Sequence, residues 1–427
     1  MPLSESMRAD LTALQPELSA RYRDLHAHPE LSMQETRTAG IVGDQLREQG
    51  WEVTEHVGVT GVVGVLRHGD GPTVLLRADM DGLPVKEDTG LAYASTAMGL
   101  DADGTEQPVM HACGHDTHIT CLLGVTALLA RHLDAWNGTI LAVFQPGEEI
   151  AAGAQAMLDD RFLERFGRPD VCLGQHVMPL PAGHVAIRSG TAMAASDSLR
   201  VQLFGRGGHG STPEATVDPV VMAAATIMRL QTVVSRVVAP NESAVLTVGS
   251  VHAGTKENII PAQAELKLNI RSFTEGTRTK VLHAIDRIVG AEATASGAPE
   301  PPRITTLNRF PVTVNDEAAT RSVQAALSQE LGEEHVHEVP PLSGSEDFGT
   351  FGTTAGVPSV FWFWGGHDPA QEARFAPLIA SGTLPDGVPG NHSPQFAPVI
   401  DPTLQVGVRC LLSAALAWIG IDQPNQP

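Results

Sequence analysis

The chain is poor in cysteine, in aromatic residues and in positive charge, and each shortage excludes something. Four cysteines, Cys113, Cys121, Cys172 and Cys410, lie scattered through 427 residues. They form no disulfide framework, and the N-terminus lacks a basic region followed by an apolar core, so the cytoplasm is the expected compartment. Phe, Trp and Tyr together make up 4% of the chain, so the core must lean on Val, Leu, Ile and Ala. Lys and Arg number 28 against 49 Asp and Glu, a formal net charge of -21. Nucleic acid and anionic membrane are bound through basic patches, and neither is an expected partner. No apolar run approaches the roughly 18 residues of a transmembrane helix.

What is present describes a globular protein. Hydrophobic residues reach 42% and charged residues 18%, and the length points to two or three domains. Early on, Ala39, Val42, Leu46 and Gln49 fall at helical spacing, and Gly50 suits a left-handed C-terminal cap. TGVVGVLR and PTVLLRAD, joined by HGDG, read as a hairpin. Residues 118–133 read as an apolar helix, GTILAVFQ as a buried strand, and DVCLGQH at 170–176 as another. This alternation predicts a three-layer α/β domain with a mostly parallel sheet.

SGTAMAASDS reads as a linker, after which the rhythm changes. SLRVQLFGR, SAVLTVGSVHAG, AELKLNIRSF and RITTLNRF are strands; DPVVMAAATIMRLQTVVSR and TRTKVLHAIDRIVGAEATA are helices, the first capped by Asp218 with Pro219 behind it. The order β-α-β-β-α-β is the ferredoxin-like α+β pattern. Residues beyond about 311 return to helix, strand (VPSVFWFW), loop and helix. The expected organisation is therefore a discontinuous domain of residues 1–192 and 309–427 interrupted by an inserted one at 193–308.

Candidate chemistry gathers at the carboxyl ends of strands, where open α/β sheets hold their sites. PTVLLRADMD ends in Asp79 and Asp81, TILAVFQPGEE in Glu148 and Glu149, and DVCLGQH in His176. HACGHDTH, residues 111–118, packs three His, one Cys and one Asp into eight positions, and the loop GNHSP adds His392. Cys113, His115, Glu149, His176 and His392 make an N/O/S set suited to Zn, Mn, Co or Ni rather than Mg or Ca. That exceeds the three protein ligands of one catalytic zinc and points to two divalent metals sharing a site. In the GEE pair one carboxylate would bind metal while the other takes a proton from water. The residues alone do not say which.

Taken together, RADMDGLP, MHACGHDTH, FQPGEE, QHVMP, GRGGHGSTPE, TVGSVHAGTKENIIP, IRSF, SGSEDFG and NHSP resemble the M20 metallopeptidase family. The likeness is strongest to its amidohydrolase branch of hippurate hydrolases, N-acyl amino acid amidohydrolases and indoleacetyl-amino-acid hydrolases. The resemblance implies a binuclear catalytic domain interrupted by a lid or dimerisation domain, and hence a homodimer or higher homo-oligomer. It assigns the ligand roles to Cys113, His115, Glu149, His176 and His392 and the general base to Glu148. Asp81 would orient a ligand from behind. It also implies that His209 of GRGGHGS reaches a substrate carbonyl or oxyanion, often across the dimer interface, and that Asn258 and Arg271 hold a substrate carboxylate.

Two departures from the family pattern bear on substrate fit. The stretch before HACGHD is long, and Gly147 stands where Ala is more usual.

The expected activity is hydrolysis of the amide bond of a small N-acyl amino acid by metal-activated water. Competing readings are a dipeptidase or biosynthetic deacylase of the same family, a cysteine nucleophile at Cys113 with His115 or His118 as base, and a non-catalytic metal-binding relative.

Overall fold

A computed structural model describes residues 2–101, 103–381 and 383–421. The chain forms two compact units, one of Met1–Ala192, Val314–Pro340 and Asp347–Pro427, the other of Met193–Thr313 and Pro341–Glu346.

The first unit is built on an eight-stranded sheet in the order Glu52–Val57, Gly61–His68, Gly138–Gln145, Thr73–Asp79, Val171–Pro181, Ser359–His367, Val185–Ile187, Val336–Glu338. The four strands at its middle run parallel to one another. Antiparallel pairs lie outside them. The middle strands are apolar on both faces because helices cover both sides, as parallel sheets require. The helix His115–Arg131 is buried along almost its whole length, which explains why it shows no polar stripe. The helix Thr403–Ile419, similarly apolar, packs against it.

Three expectations change here. Gly61–His68 and Thr73–Asp79 are not a hairpin, because Gly138–Gln145 lies between them and pairs with both. Strands buried on both faces need neighbours on both edges, and the apolar GTILAVFQ supplies one. SGTAMAASDS is no linker: Gly190–Met193 and Ala195–Phe204 are strands, and the chain passes between units in extended form. His176 is not at a strand end either. Its strand continues to Pro181, and Arg77 opposite Gly174 sets His176 level with Asp79.

The second unit has a four-stranded antiparallel sheet in the order Ala244–Ala253, Gln263–Ser272, Ala195–Phe204, Arg303–Phe310. With the helices Pro219–Thr232 and Glu275–Ala295 this is a ferredoxin-like arrangement. Leu199, Val201, Leu266, Leu268, Met222, Leu230, Val281 and Ile285 fill its core. Asp218 caps the first helix by accepting from Val220 N at 2.8 Å. By length and composition Pro219–Val237 is apolar enough to cross a membrane, contrary to the reading of the sequence. Arg229, Gln231 and Arg236 interrupt its apolar run without outweighing the rest. Met222, Ala223, Leu230 and Val233 are buried in the unit's own core.

Helix contact in the first unit depends on small residues. A Cβ at Gly407 would stand 2.6 Å from Cys121 Sγ and 3.1 Å from the Trp364 ring. Gly407→Ala is expected to cost about 1–3 kcal/mol through overpacking, read as a lowered urea midpoint with unchanged slope.

Candidate metal centre

The loop HACGHD turns into a helix at Gly114, whose φ of +85° is left-handed and whose Cβ would strike Val177 at 2.5 Å. Glycine is required there, and it points Cys113 and His115 back over the sheet edge. Cys113 Sγ lies 3.4 Å from His176 Nε2. His115 Nε2 lies 3.8 Å from Glu149 Oε1, and His392 Nε2 lies 3.4 Å from the same oxygen. Two ligand atoms on one tetrahedral ion, with bonds of about 2.0–2.3 Å, stand roughly 3.3–3.8 Å apart. Three pairs among the five donors named from the sequence stand at that spacing, and Cys113, His115 and Glu149 form one cluster with ligand atoms within 4.8 Å of one another.

Each donor is oriented by a neighbour. His176 Nδ1 donates to Val177 O at 2.7 Å, which leaves Nε2 with its lone pair toward Cys113. Asp81 is shared: one oxygen faces His115 Nδ1 at 3.2 Å and the other accepts from Glu149 N at 3.0 Å. His392 has a φ of +70° and is fixed by its N–H to Ala112 O at 2.8 Å. Its neighbour Asn391 donates to Cys113 O and Val177 O, each at 3.1 Å.

The electrostatics favour a cation. His115 Nε2 and Glu149 Oε1 are buried with no hydrogen-bond partner. Burial opposes charge on His115, yet Asp79, Asp81 and Glu149 lift its pKa to about 10. Burial, reinforced by Glu149, Glu148 and Asp79, drives the Cys113 thiol well up, and burial drives His176 well down. Those opposite shifts are wrong for a thiolate–imidazolium pair and weigh against a cysteine nucleophile. A divalent ion would reverse the thiol's penalty by favouring thiolate, and the neutral form that burial imposes on His176 is the one that binds metal. The donor set therefore fits a transition metal.

Arg77 and Asn391 are not named from the sequence, Asp79 is named only as a strand-end carboxylate, and His118 only as a possible base for Cys113. His118 joins Asp79, His115 and His176 in a cluster with ligand atoms within 4.8 Å of one another. Its Nε2 accepts from Val177 N at 2.9 Å, so Nδ1 carries the proton and donates to Asp79. Both nitrogens are engaged, and His118 acts on Asp79 rather than as a free donor. Burial works against the Asp79 carboxylate, but Arg77, His115 and His118 hold it well below the ordinary range. Arg77, itself buried, reaches Asp79 at 2.7 Å, Gln145 at 2.8 Å and Asp347 at 3.2 Å. A charged residue inside an apolar strand was the available signal. Asn391 gave none.

In the second unit, His209 and Asn258 lie side by side and exposed. Gly208–His209 pairs with Ile259–Ile260, and Gly210 N donates to Asn258 O at 2.9 Å. His209 Nδ1 accepts from Ser211 N at 3.1 Å. Arg271, bonded to Ser343 O and Ser345 Oγ, sits near the far end of Gln263–Ser272, whose near end adjoins Ile260. At about 3.3 Å per residue the separation is roughly 25 Å. Within one chain, therefore, Asn258 and Arg271 cannot grip the same carboxylate.

The family model for peptidase family M20/M25/M40 matches residues 75–377. The hippurate hydrolase of Campylobacter jejuni is 39% identical over 347 residues, covering 80% of this chain and 86% of that one. The N-acetyl-L-cysteine deacetylase of Bacillus subtilis is 34% identical, over 84% of this chain and 83% of its own. Among solved structures, the YXEP protein of Bacillus subtilis, a dinuclear metal-binding peptidase of the M20 family, superposes with a TM-score of 0.73 at 28% identity. It covers 95% of this chain and 99% of its own.

Behind the HACGHD turn, buried His26 bridges Asp116 at 2.6 Å and Glu87 at 3.0 Å. Burial opposes its charge, but the two carboxylates raise its pKa to about 9. A raised histidine stabilises the fold fully below its unfolded value near 6.5, and that contribution is lost as pH climbs through the folded value. Urea midpoints of wild type and His26→Asn should therefore differ most near pH 6 and converge toward pH 9.5. The change corresponds to roughly 3 kcal/mol.

Proposed function

The chain belongs to peptidase family M20/M25/M40 and is a hydrolase of amide bonds; from that membership we propose that it cleaves small N-acyl amino acids with two divalent transition metals. The observation that carries the reading is the buried, outwardly unpartnered donor pair His115 Nε2 and Glu149 Oε1, ringed by Cys113, His176 and His392. These five residues hold the two ions, of Zn, Mn, Co or Ni. When bound, the ions polarise the amide carbonyl and bring the pKa of water toward neutrality.

The chain's own groups do the rest. Glu148 is buried at the head of the same turn as Glu149 and is the general base. It takes the proton of the attacking water and returns it to the leaving amine. Asp81 holds His115 and Glu149 in register throughout. With Nδ1 accepting from Ser211, His209 presents Nε2–H to donate to the developing oxyanion. Arg271 takes the substrate carboxylate. Burial lowers its pKa, but a guanidinium keeps its charge.

The separation of Arg271 from His209 and Asn258 supports a homodimer in which one chain supplies Arg271 and a second copy supplies His209 and Asn258. The second unit offers the means: Ala244–Ala253 is an edge strand, and Val221, Met228, Val245 and Val251 are exposed. This unit is then both lid and dimerisation domain.

The test is hydrolysis of N-acetyl, N-benzoyl and indoleacetyl amino acids beside plain dipeptides, after chelation and again with each metal restored. Metal-restored cleavage of acyl amino acids is expected, with kcat in Glu148→Gln reduced about 10²–10⁴-fold. Cleavage confined to dipeptides would move the substrate class. No cleavage of any substrate by metal-loaded protein would favour a non-catalytic relative.

A further inference from the structure

A short segment ahead of the helix Thr36–Glu48 touches the candidate centre from behind. Ser32 Oγ donates to Asp81 Oδ2 at 2.6 Å. Met33 has a φ of +63°, a left-handed conformation rare for a non-glycine residue. Its side chain packs over Gly147, where an added Cβ would stand 2.9 Å from Met33 Cε. Glu35, at the start of the helix, has no solvent exposure. One of its oxygens accepts from both Met33 N at 3.0 Å and Gly147 N at 2.8 Å. The other accepts the Thr60 hydroxyl.

A buried carboxylate partnered by two peptide N–H groups and a hydroxyl, with no cation among them, is costly to keep. Burial first, then the nearby Asp81 charge, pushes Glu35 up to about 7. Strain and buried charge persist where the surroundings impose them, and they gather at functional positions. The GEE turn is otherwise closed on itself: Gly147 O accepts from Ala152 N and Gly153 N, and Glu148 O accepts from Ala151 N. Its outward N–H groups are anchored at Gly147 by Glu35 and at Glu149 by Asp81.

We propose that Glu35 is a positioning residue, whose acceptor oxygen holds the Gly147 peptide and thereby sets the direction of the Glu148 base. The proposal rests on the reading of Glu148 given above. Glu35 touches neither substrate nor metal ligand and acts through one peptide bond. What the turn needs from it is an acceptor at that point, and the negative charge is incidental. Glutamine offers the same oxygen at the same reach, and its amide can donate to the Thr60 hydroxyl, which accepts as readily as it donates.

Two variants and two readouts decide it. Glu35→Gln should keep kcat within about threefold of wild type, whereas Glu35→Ala should lose about thirtyfold or more. KM and metal content should stay unchanged in both. Amide exchange should quicken about tenfold or more across residues 146–152 in Glu35→Ala alone, with His115–Arg131 as protected as before. The proposal is overturned if Glu35→Ala keeps kcat and slow exchange in the turn. It is equally overturned if Glu35→Gln fails as badly as Ala, since charge would then be the requirement. If wild type cleaves no amide, the base assignment falls, and the exchange measurement alone still decides whether Glu35 holds the turn.

Discussion

Arg77 is a guanidinium with essentially no access to water, and the first unit is arranged around it. It stands among the apolar residues Val74 to Ala78 of its strand, and it binds Asp79 at that strand's end and Gln145 and Asp347 from two other segments. A buried cation left without partners would be prohibitive, so those segments must converge. Asp79 is thereby fixed as a carboxylate, and through His118 it fixes the ring beside His176. The same cross-strand register sets His176 level with Asp79 and brings Glu148 and Glu149 to that edge. Fold and site are in this sense one arrangement. The pairing that lets a charged residue live inside the sheet also places the donors at its rim.

Much of this was legible in the residue pattern, and the failures have physical reasons. Apolar period and cap chemistry located Thr36–Glu48 with Gly50 beyond it at a φ of +86°, and Pro219–Thr232 behind Asp218. Five candidate donors could be named because Cys, His and Glu gather in HACGHD, GEE, the strand carrying His176 and the loop carrying His392, although His176 lies within its strand rather than at its end. Pairing partners were not legible. The HGDG turn suggested a hairpin, but local turn chemistry cannot see a distant strand competing for the same edge. His118 was set beside Cys113 as a base, whereas a peptide N–H from Val177, distant in sequence, engages its second nitrogen. Asn258 and Arg271 were paired by resemblance, and only the register of Gln263–Ser272 reveals how far apart they lie.

That separation gives the second unit its meaning. A single chain presents Arg271 in one place and the His209–Asn258 pair in another, which is why the proposed function calls on a second copy of the chain. The exposed edge strand and the apolar residues beside it are the expected counterpart of that division.

The central claim is that Cys113, His115, Glu149, His176 and His392 hold a pair of transition metals, and cobalt reports on it directly. Protein stripped by chelation and titrated with Co²⁺ should retain two ions per chain. It should also show a near-ultraviolet thiolate-to-metal absorption that vanishes in Cys113→Ser. A single retained ion, or a cobalt spectrum indifferent to Cys113→Ser, would contradict the account.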